Sequence, residues 1–337
     1  MKKLFSIVIP TYNMEEFLDE CLNSLLIQNL SLQNCLEVLI INDGSKDKSS
    51  EIAHKFESLV PDVFRVIDKE NGGHGSCCNV GLAEAKGTFI HFLDSDDWLD
   101  CNLPLFIEKL QKEEADVVFT RRVDEYYETG VSNVHRSNVQ YGVKDVDSRT
   151  FDYSQVNSGL FCIHECTFRT ELLRQNGIKF REHVSYDDTI LRFAAFPNCK
   201  SFSFYDMELY HYRLGRAGQS MDPKVMSKKI DQLFLNIQDL YQYANKIKED
   251  ISEKQMQYVK FELYNYFHSL IWNTLKLDRK TRKGLLCKYL SFFKERENYY
   301  FIKGNYIAKL FLLLPPSVIY WFSIPLVSLK KQVKKNK

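Results

Sequence analysis

The chain has 337 residues, of which 45% are hydrophobic and 26% charged, and its formal net charge is +1. This length and apolar content predict one α/β domain with a large core and a further region attached to it. The near-neutral charge gives no support for nucleic-acid binding. Nine cysteines, an odd number with no CxxC spacing, indicate reduced thiols in a cytosolic protein.

The first residues are typical of a β-strand. Two lysines are followed by a short apolar run that ends at Pro10, which is too brief for the core and cleavage site of a signal peptide. We therefore predict a strand over residues 5–10. Asn13 and Glu16 then have the spacing of a capping box, which predicts a helix over residues 17–26.

Strand and helix patterns alternate over the next eighty residues. Apolar runs at 36–41, 64–67 and 89–93 predict strands, and helical spacing between the first two predicts a helix through Phe56. This alternation predicts a doubly wound, mainly parallel sheet. The carboxyl ends of such strands form the crevice where these sheets bind ligands.

Carboxylates follow two of these strands, at Asp43 and at Asp94, Asp96 and Asp97. Three carboxylates within four residues repel each other, so a divalent cation that bridges them to a phosphate is a natural partner. The alternative is a polar turn in which an aspartate caps a helix that begins at Leu103. The sequence pattern of the turn alone leaves both interpretations open.

A glycine-rich turn lies between these acidic positions, at residues 71–79. Its backbone N–H groups could approach phosphates. It has neither the GxGxxG spacing nor a GK[ST] sequence, so a purely structural turn remains an alternative.

The following segment is less regular. A strand is predicted over residues 116–120, after a helix through Leu110, whereas residues 121–153 are polar and weakly patterned and are interpreted as loops or an irregular insertion. Order resumes at 161–168, and a helix through Leu172 and Leu173 ends at Gly177.

A second acidic segment, Asp187-Asp188, precedes a predicted helix over 189–196. Either aspartate could cap that helix, or one could cap it while the other acts as a general base. Residues 205–220 follow as a strand and a turn with His211, Arg213 and Arg216. The arginines could hold a diphosphate or an acidic acceptor, and His211 could complete a metal site. The alternatives are that the arginines are solvated on the surface and that His211 is packed in the core.

From residue 223 the pattern becomes helical, at 230–247 and 256–274. Residues 310–329 carry no charge and precede a lysine-rich tail, but three prolines interrupt them. This composition favours contact with the cytoplasmic membrane interface over a span, and packing on the helical region is the alternative. The predicted organisation is a domain over 1–222, a helical region over 223–300 and a membrane-associating segment over 301–337.

In their order and spacing, five motifs resemble those of glycosyltransferase family 2. They are SIVIPTYN at 6–13, INDGS at 41–45, ENGG with a following NxGL-type helix at 70–82, FLDSDDW at 92–98, and YDD at 186–188 with HYR after it. The resemblance covers residues 1–220 and implies a GT-A fold. It also implies an inverting transferase that takes a nucleotide-diphosphate sugar as donor.

Carried over by position, the resemblance implies a role for each matching residue. The nucleotide-sugar pocket would be formed by Pro10, Thr11, Tyr12, Asn13, Asp43, Gly73, Asn79, Asp94 and Ser95. His74, which matches no family position, is a further candidate that could face the sugar or the diphosphate. Asp94 and Asp96 would be the DxD pair, with Asp96 nearest a Mn²⁺ or Mg²⁺ ion, and Asp188 would be the catalytic base. Contacts to acceptor or phosphate would come from Asp97, Asp187, Arg213, Arg216 and Ser220.

The chain departs from the family pattern at two places. Cys77-Cys78-Asn79 stands where many members have Ala-Arg-Asn, which puts the base preference in doubt, and His74 stands where many members have another residue.

The expected function is transfer from a UDP-sugar or a related donor to a growing cell-surface glycan or a lipid-linked acceptor. One base without a protein nucleophile predicts inversion, and hydrolysis would require two carboxyls across the bond. A peripheral location at the inner face of the cell membrane is expected, with no nucleic-acid partner. The alternatives are a nucleotidyltransferase and a catalytically silent GT-A-like binding or scaffold subunit.

Overall fold

The computed structural model describes residues 3–135, 139–155, 163–216, 229–302 and 306–313. Its contacts divide the chain into two units. The first comprises Met1–Ala217 with Ile251–Gln255, and the second comprises Gly218–Asp250 with Met256–Lys337.

The first unit is built on one mixed sheet with the strand order β3-β2-β1-β4-β9-β6-β10-β5, in which β7 pairs with β6 and β8 pairs with β10. The strands are β1 Phe5–Thr11, β2 Leu36–Asn42, β3 Phe64–Asp68, β4 Phe89–Phe92, β5 Trp98–Leu99, β6 Val117–Tyr126, β7 Val131–Val134, β8 Val143–Asp147, β9 Cys166–Arg169 and β10 Ser201–Leu214.

The predicted parallel arrangement is confirmed for β3, β2, β1 and β4, which all run in the same direction. Every residue of β1 and β2 is buried, which explains why these strands are continuous apolar runs rather than alternating ones. The sheet becomes mixed at β9, which pairs antiparallel with both β4 and β6.

Helices cover the sheet of the first unit. They are α1 Leu18–Asn23, α2 Leu30–Gln33, α3 Ser49–Leu59, α4 His74–Glu84, α5 Leu103–Leu110, α6 Thr170–Gln175 and α7 Thr189–Asn198. Helix α4 packs closely against β1 at Gly81. A side chain there would not fit, since an added Cβ would lie only 2.2 Å from Val8 Cγ1. This approach fixes the start of α4, and with it the glycine-rich turn, beside the end of β1.

The C-terminal region is helical, as the spacing of its apolar residues predicts. Its helices are α8 Ile230–Ile247, α9 Glu253–Leu275, α10 Arg279–Lys294, α11 Arg296–Ile302 and α12 Tyr306–Leu313. Buried aromatic rings hold it together: the ring centroid of Tyr241 lies 5.4 Å from that of Phe293 and 5.8 Å from that of Phe301. Within the described ranges, no helix has both the length and the hydropathy needed to cross a bilayer. Most of residues 310–329 lie outside those ranges.

Two predictions about local structure are wrong. Asn13 and Glu16 form no capping box, because α1 begins at Leu18 after Phe17 and no side chain caps it. Residues 121–153, interpreted as irregular, contain the end of β6 and the strands β7 and β8 in their described part. All four residues of β7 are exposed, so this strand lacks the apolar alternation by which strands are recognised.

Candidate active site

The carboxyl ends of β2 and β4 open on one edge of the sheet, because both strands are parallel to β1, which lies between them. Asp43 follows β2 directly, and Asp94 lies two residues after β4. The acidic positions that were predicted to share a crevice are therefore on the same edge.

Asp43 organises the glycine-rich turn. Its buried carboxylate accepts hydrogen bonds from Lys69 Nζ (2.6 Å), from the Gly72 N–H (2.8 Å) and from the Gly73 N–H (2.8 Å). Burial alone would raise the pKa of Asp43, but these bonds hold it below its usual value. Gly73 has φ 84°, a conformation that favours glycine, and α4 begins at the next residue.

The end of β1 leads into the same edge. Pro10 and Thr11 are buried in the strand, whereas Tyr12 is 45% exposed. Asn13, with φ 55°, accepts a hydrogen bond through Oδ1 from the Lys46 N–H (2.8 Å). Asn13 thus links the turn after β1 to the turn after β2.

The turn after β4 is closed by a hydrogen bond from the Asp97 N–H to the Asp94 carbonyl (3.0 Å), and Ser95 is buried within it. Helix α5 starts after Asn102, and no side chain caps it. The alternative in which one of these aspartates caps that helix is therefore excluded, and the three carboxylates have other contacts.

Two arginines hold this turn. Arg216 pairs with Asp96 through Nε and Nη2, both 2.6 Å from Oδ2. Arg213 donates its backbone N–H to Asp97 Oδ1 (2.7 Å) and its Nε–H to the Asp96 carbonyl (2.8 Å), and its guanidinium lies 4.8 Å from the centre of the Trp98 ring. The predicted Ser220 lies outside the described residues.

The three carboxylates differ electrostatically. Burial would raise the pKa of Asp94, but His164 and His74 beside it hold that pKa well below its usual value. Burial and then the charge of Asp94 raise the pKa of Asp96, which Arg216 partly offsets. Burial and the other two aspartates raise the pKa of Asp97 well above its usual value.

His164, which the sequence analysis did not single out, belongs to this cluster. Its Nε2 lies 3.3 Å from Asp94 Oδ2, and its ring stacks on Tyr212 with centroids 4.6 Å apart. Ligand atoms of Asp94, Asp97 and His164 all lie within 4.8 Å of one another. A carboxylate pair with one imidazole can hold a divalent cation, so these residues fit a metal ion.

The described structure groups Asp94 with Asp97 and His164 rather than with Asp96 and His211. The carboxylate of Asp96 is paired with the charged guanidinium of Arg216, whereas that of Asp97 accepts hydrogen bonds from two uncharged donors, the Arg213 N–H and the Tyr210 hydroxyl (both 2.7 Å). Both ring nitrogens of His211 are engaged too, Nδ1 by Glu125 (2.7 Å) and Nε2 by Asp100 (3.0 Å). His211 also stacks on Trp98. These contacts correspond to the packed-histidine interpretation.

His74 connects the acidic turn to the second acidic segment. Its Nδ1 lies 2.9 Å from Asp187 Oδ2 and its Nε2 lies 3.7 Å from Asp94 Oδ1. Gly75 permits this contact, because a Cβ there would lie 2.4 Å from the Arg181 carbonyl oxygen and 2.9 Å from Asp187 Oδ2. The start of α4 and the segment before α7 are therefore in direct contact.

Asp188 occupies the N-cap position of α7, but its side chain makes no capping hydrogen bond. Among the described residues its carboxylate has no hydrogen-bonding or ion-pair partner. Burial and the neighbouring Asp187 raise its pKa, while His74 and His164 lower it. Of the two functions considered for this aspartate, the structure disfavours capping.

Asn79 anchors the segment that carries these aspartates. Its Nδ2 donates to the Phe180 carbonyl (2.9 Å) and its Oδ1 accepts from the Phe180 N–H (2.9 Å). The side chain predicted to contact the nucleotide sugar is thus occupied by backbone groups, and it orients the chain toward Asp187.

A family model described as glycosyl transferase family 2 matches residues 6–177, slightly more than half of the chain. The chain belongs to glycosyl transferase family 2. Its motifs at the ends of β1, β2 and β4 and in the glycine-rich turn all fall within the matched range.

Other family members are similar to this chain over part of their length. The uncharacterized glycosyltransferase EpsJ of Bacillus subtilis is 28% identical over 63% of this chain and 62% of its own length. The poly(ribitol-phosphate) beta-N-acetylglucosaminyltransferase TarS of Staphylococcus aureus is 28% identical over 66% of this chain and 38% of its own length. The chain thus spans less than two thirds of these relatives.

Solved structures show the same fold. Residues 1–349 of S. aureus TarS, crystallised with UDP-GlcNAc, align with 88% of this chain and 89% of that structure, with a TM-score of 0.56 and 22% identity. A mannosyltransferase from Pyrobaculum calidifontis, solved with GDP-Man and Mn²⁺, covers 97% of this chain and 86% of its own, with a TM-score of 0.52 and 17% identity. The expected GT-A architecture with C-terminal helices is confirmed.

Proposed function

We propose that this family 2 protein is an inverting glycosyltransferase. It moves a sugar from a nucleotide-diphosphate donor, with UDP-sugars favoured, to a hydroxyl of a growing cell-surface glycan or a lipid-linked acceptor. The observation that carries the proposal is the bridge formed by His74, which brings Asp187, and with it Asp188, to Asp94. A candidate base and a candidate phosphate-facing cluster thus meet in one place.

Asp188 is the proposed catalytic base. An acceptor hydroxyl must lose its proton as its oxygen attacks the anomeric carbon, and a carboxylate without other partners can accept that proton. The raised pKa of Asp188 makes it a better proton acceptor than an ordinary aspartate. A single base without a protein nucleophile leads to one displacement and therefore to inversion of the anomeric carbon.

The cluster after β4 is proposed to face the donor's diphosphate. Asp94, with Asp97 and His164, would hold a Mn²⁺ or Mg²⁺ ion, which stabilises the negative charge that develops on a diphosphate leaving group. Arg216, which follows β10, pairs with Asp96 and neutralises its charge, so it lowers the repulsion between this cluster and a phosphate. Arg213 fixes the turn's shape through its hydrogen bonds to Asp97 and to the Asp96 carbonyl.

The turns after β1 and β2 are proposed to bind the nucleoside. Tyr12 offers an exposed ring on which a base could stack, and Asn13 fixes the two turns together. Asp43 holds the glycine-rich turn at Gly73 through its hydrogen bonds. Asp43 already has three donors in this structure, so contact with the base would need an exchange of one of them.

The relatives indicate the class of substrate. Besides TarS, a poly(ribitol-phosphate) beta-glucosyltransferase of Bacillus spizizenii and the minor teichoic acid biosynthesis protein GgaB of B. subtilis are 28% and 25% identical to this chain over the matched residues. These names favour a cell-wall polysaccharide acceptor, and the UDP-GlcNAc bound by TarS favours a UDP-sugar. The apolar residues 310–329 and the lysines after them favour peripheral contact with the inner membrane face.

Calorimetric titration of the purified full chain tests the proposal. UDP, dTDP and GDP are each titrated in the presence of Mn²⁺, of Mg²⁺ and of a chelator. We expect metal-dependent binding of one diphosphate, UDP first. Binding that is equally tight with the chelator would refute the role given to Asp94. No binding of any diphosphate by the folded protein would favour the catalytically silent scaffold.

A further inference from the structure

We propose that His74, Cys78 and Asp187 form a second metal site, selective for Zn²⁺ or a similar thiophilic cation. It is separate from the oxygen-rich group at Asp94. Ligand atoms of these three residues all lie within 4.8 Å of one another. The donor-binding metal of the proposed function plays no part in this site.

The separations between these ligand atoms are similar to those around a bound zinc ion. His74 and Cys78 are four residues apart on α4 and therefore share one face of the helix. Cys78 Sγ lies 3.7 Å from His74 Nδ1 and 3.8 Å from its Nε2, and Asp187 Oδ2 lies 2.9 Å from Nδ1. Tetrahedral Zn–N and Zn–S bonds of about 2.0 and about 2.3 Å place N and S ligands roughly 3.5 Å apart. Coordination would require the imidazole to turn so that Nδ1 faces Cys78 Sγ and the Asp187 carboxylate to move away from Nδ1, both of which are movements of side chains.

The donor types select the cation. One thiolate, one imidazole and one carboxylate suit Zn²⁺, whereas Mg²⁺ and Mn²⁺ prefer oxygen ligands. Three protein ligands leave a fourth position for water or another group. Cys78 and Asp187 are buried, but the His74 side chain is 35% exposed and offers a path for entry. Coordination requires the Cys78 thiol to lose its proton, which passes to the buffer.

The second nitrogen of His74 links this site to the acidic turn. When Nδ1 binds the ion, Nε2 carries the proton and faces Asp94 Oδ1 at 3.7 Å, an arrangement in which a carboxylate supports a metal-bound histidine. Ion binding also replaces the hydrogen bond between His74 and Asp187, the residue next to Asp188. We therefore expect Zn²⁺ at this site to inhibit glycosyl transfer. The inhibition rests on the proposed function, whereas the binding of the ion is independent of it.

Cobalt substitution tests the site directly. The chelator-treated full chain is titrated with Co²⁺, and one equivalent is expected to give the near-ultraviolet charge-transfer band of a thiolate ligand. Cys78→Ser should abolish this band and weaken Zn²⁺ binding about 100-fold, measured by competition with a zinc indicator. Cys77→Ser is the matched control, because Cys77 is the adjacent buried cysteine outside the cluster, and it should bind as the unchanged protein does.

A band that is absent from the unchanged protein, or that persists in Cys78→Ser, would overturn the proposal. If Cys78→Ser fails to fold, His74→Gln alters the partly exposed ligand instead and should weaken Zn²⁺ binding about as much. A separate assay measures the inhibition of glycosyl transfer by Zn²⁺ at a fixed excess of Mg²⁺. When both cysteine variants fold, Cys77→Ser should be inhibited and Cys78→Ser should resist inhibition. A protein that binds Co²⁺ through Cys78 but no nucleotide would keep this site and refute the proposed function.

Discussion

His74 Nδ1 lies 2.9 Å from Asp187 Oδ2, although 113 residues separate them in the sequence. Burial alone would lower the pKa of His74, but Cys78, Asp187 and Asp94 raise it well above its usual value. The imidazolium then neutralises part of a charge cluster that contains buried carboxylates. One side chain therefore holds the two acidic segments of the candidate site together.

Replacement of His74 by alanine is expected to lower turnover about 10-fold and to lower the melting temperature, because buried Asp187 loses its charged partner. The segment that carries Asp188 would then shift relative to Asp94. His54→Ala is the matched control, since His54 also pairs with two carboxylates, Glu57 and Asp68, but on the exposed surface of α3. Equal losses of turnover in the two variants would contradict the bridging role.

Arg216→Ala is expected to weaken nucleotide-diphosphate binding about 10-fold, measured by calorimetry at fixed metal concentration. Without the guanidinium, Asp96 presents an uncompensated charge to the phosphates and repels them. The loss should diminish at high salt. Arg121→Ala removes an arginine paired with exposed Asp206 and should leave the affinity unchanged. An Arg216 variant with full affinity would show that this residue serves only the fold.

Two glycine-to-alanine changes should have opposite effects. Alanine stabilises a helix by about 1 kcal/mol over glycine, so Gly284→Ala in α10, where an added Cβ meets nothing within 4 Å, should raise the melting temperature. Gly75 also lies in a helix, α4, but the Cβ added by Gly75→Ala would lie 2.4 Å from the Arg181 carbonyl oxygen. This substitution should lower both stability and turnover. A stabilised Gly75→Ala would show that the contact between α4 and the segment before α7 yields easily.

The sequence predicts the buried centre of this fold better than its periphery. β1 and β2 are recognisable because both faces of each strand are buried, and Asp43 and Asp94 are recognisable because carboxylates end such apolar runs abruptly. β7 was not predicted, since its residues are all exposed and its pairing with β6 is formed by backbone groups. The spacing of Asn13 and Glu16 predicts a helix cap, and the actual contact of Asn13 with Lys46, 33 residues away, leaves no local pattern in the sequence.

The same limit applies within the candidate site. His164 is a single histidine in a short 3₁₀ turn, and its contact with Asp94 spans 70 residues, so no spacing rule points to it. The sequence suggests Asp96 as a metal ligand from its position in the DxD pair, and His211 from its place on a strand and turn that also carry two arginines. Their partners, Arg216 for Asp96 and Glu125 and Asp100 for His211, come from distant strands and turns, and only the folded arrangement shows these pairings.

Asp43→Asn is expected to destabilise the protein at neutral pH by about 1–3 kcal/mol, because an amide replaces one of the oxygens that accept hydrogen bonds and the pair with Lys69 is lost. The pKa of Asp43 is lowered from 3.8, so its ionised form stabilises the fold above that value and the contribution is lost as the pH falls through the folded pKa. Urea unfolding should therefore show a difference between the two proteins at pH 7 that shrinks in acid. A constant difference would contradict the electrostatic origin.

Asp188→Asn is the sharpest test of the proposed chemistry. We expect turnover to fall about 100-fold or more while donor affinity and melting temperature stay unchanged, because the carboxylate caps nothing and pairs with none of the described residues. Single-turnover rates at saturating donor separate the loss of turnover from a loss of donor binding. Asp116→Asn controls for the loss of a negative charge, because Asp116 lies immediately before β6 and pairs with Arg169. Unchanged turnover in Asp188→Asn would assign the proton transfer to another group.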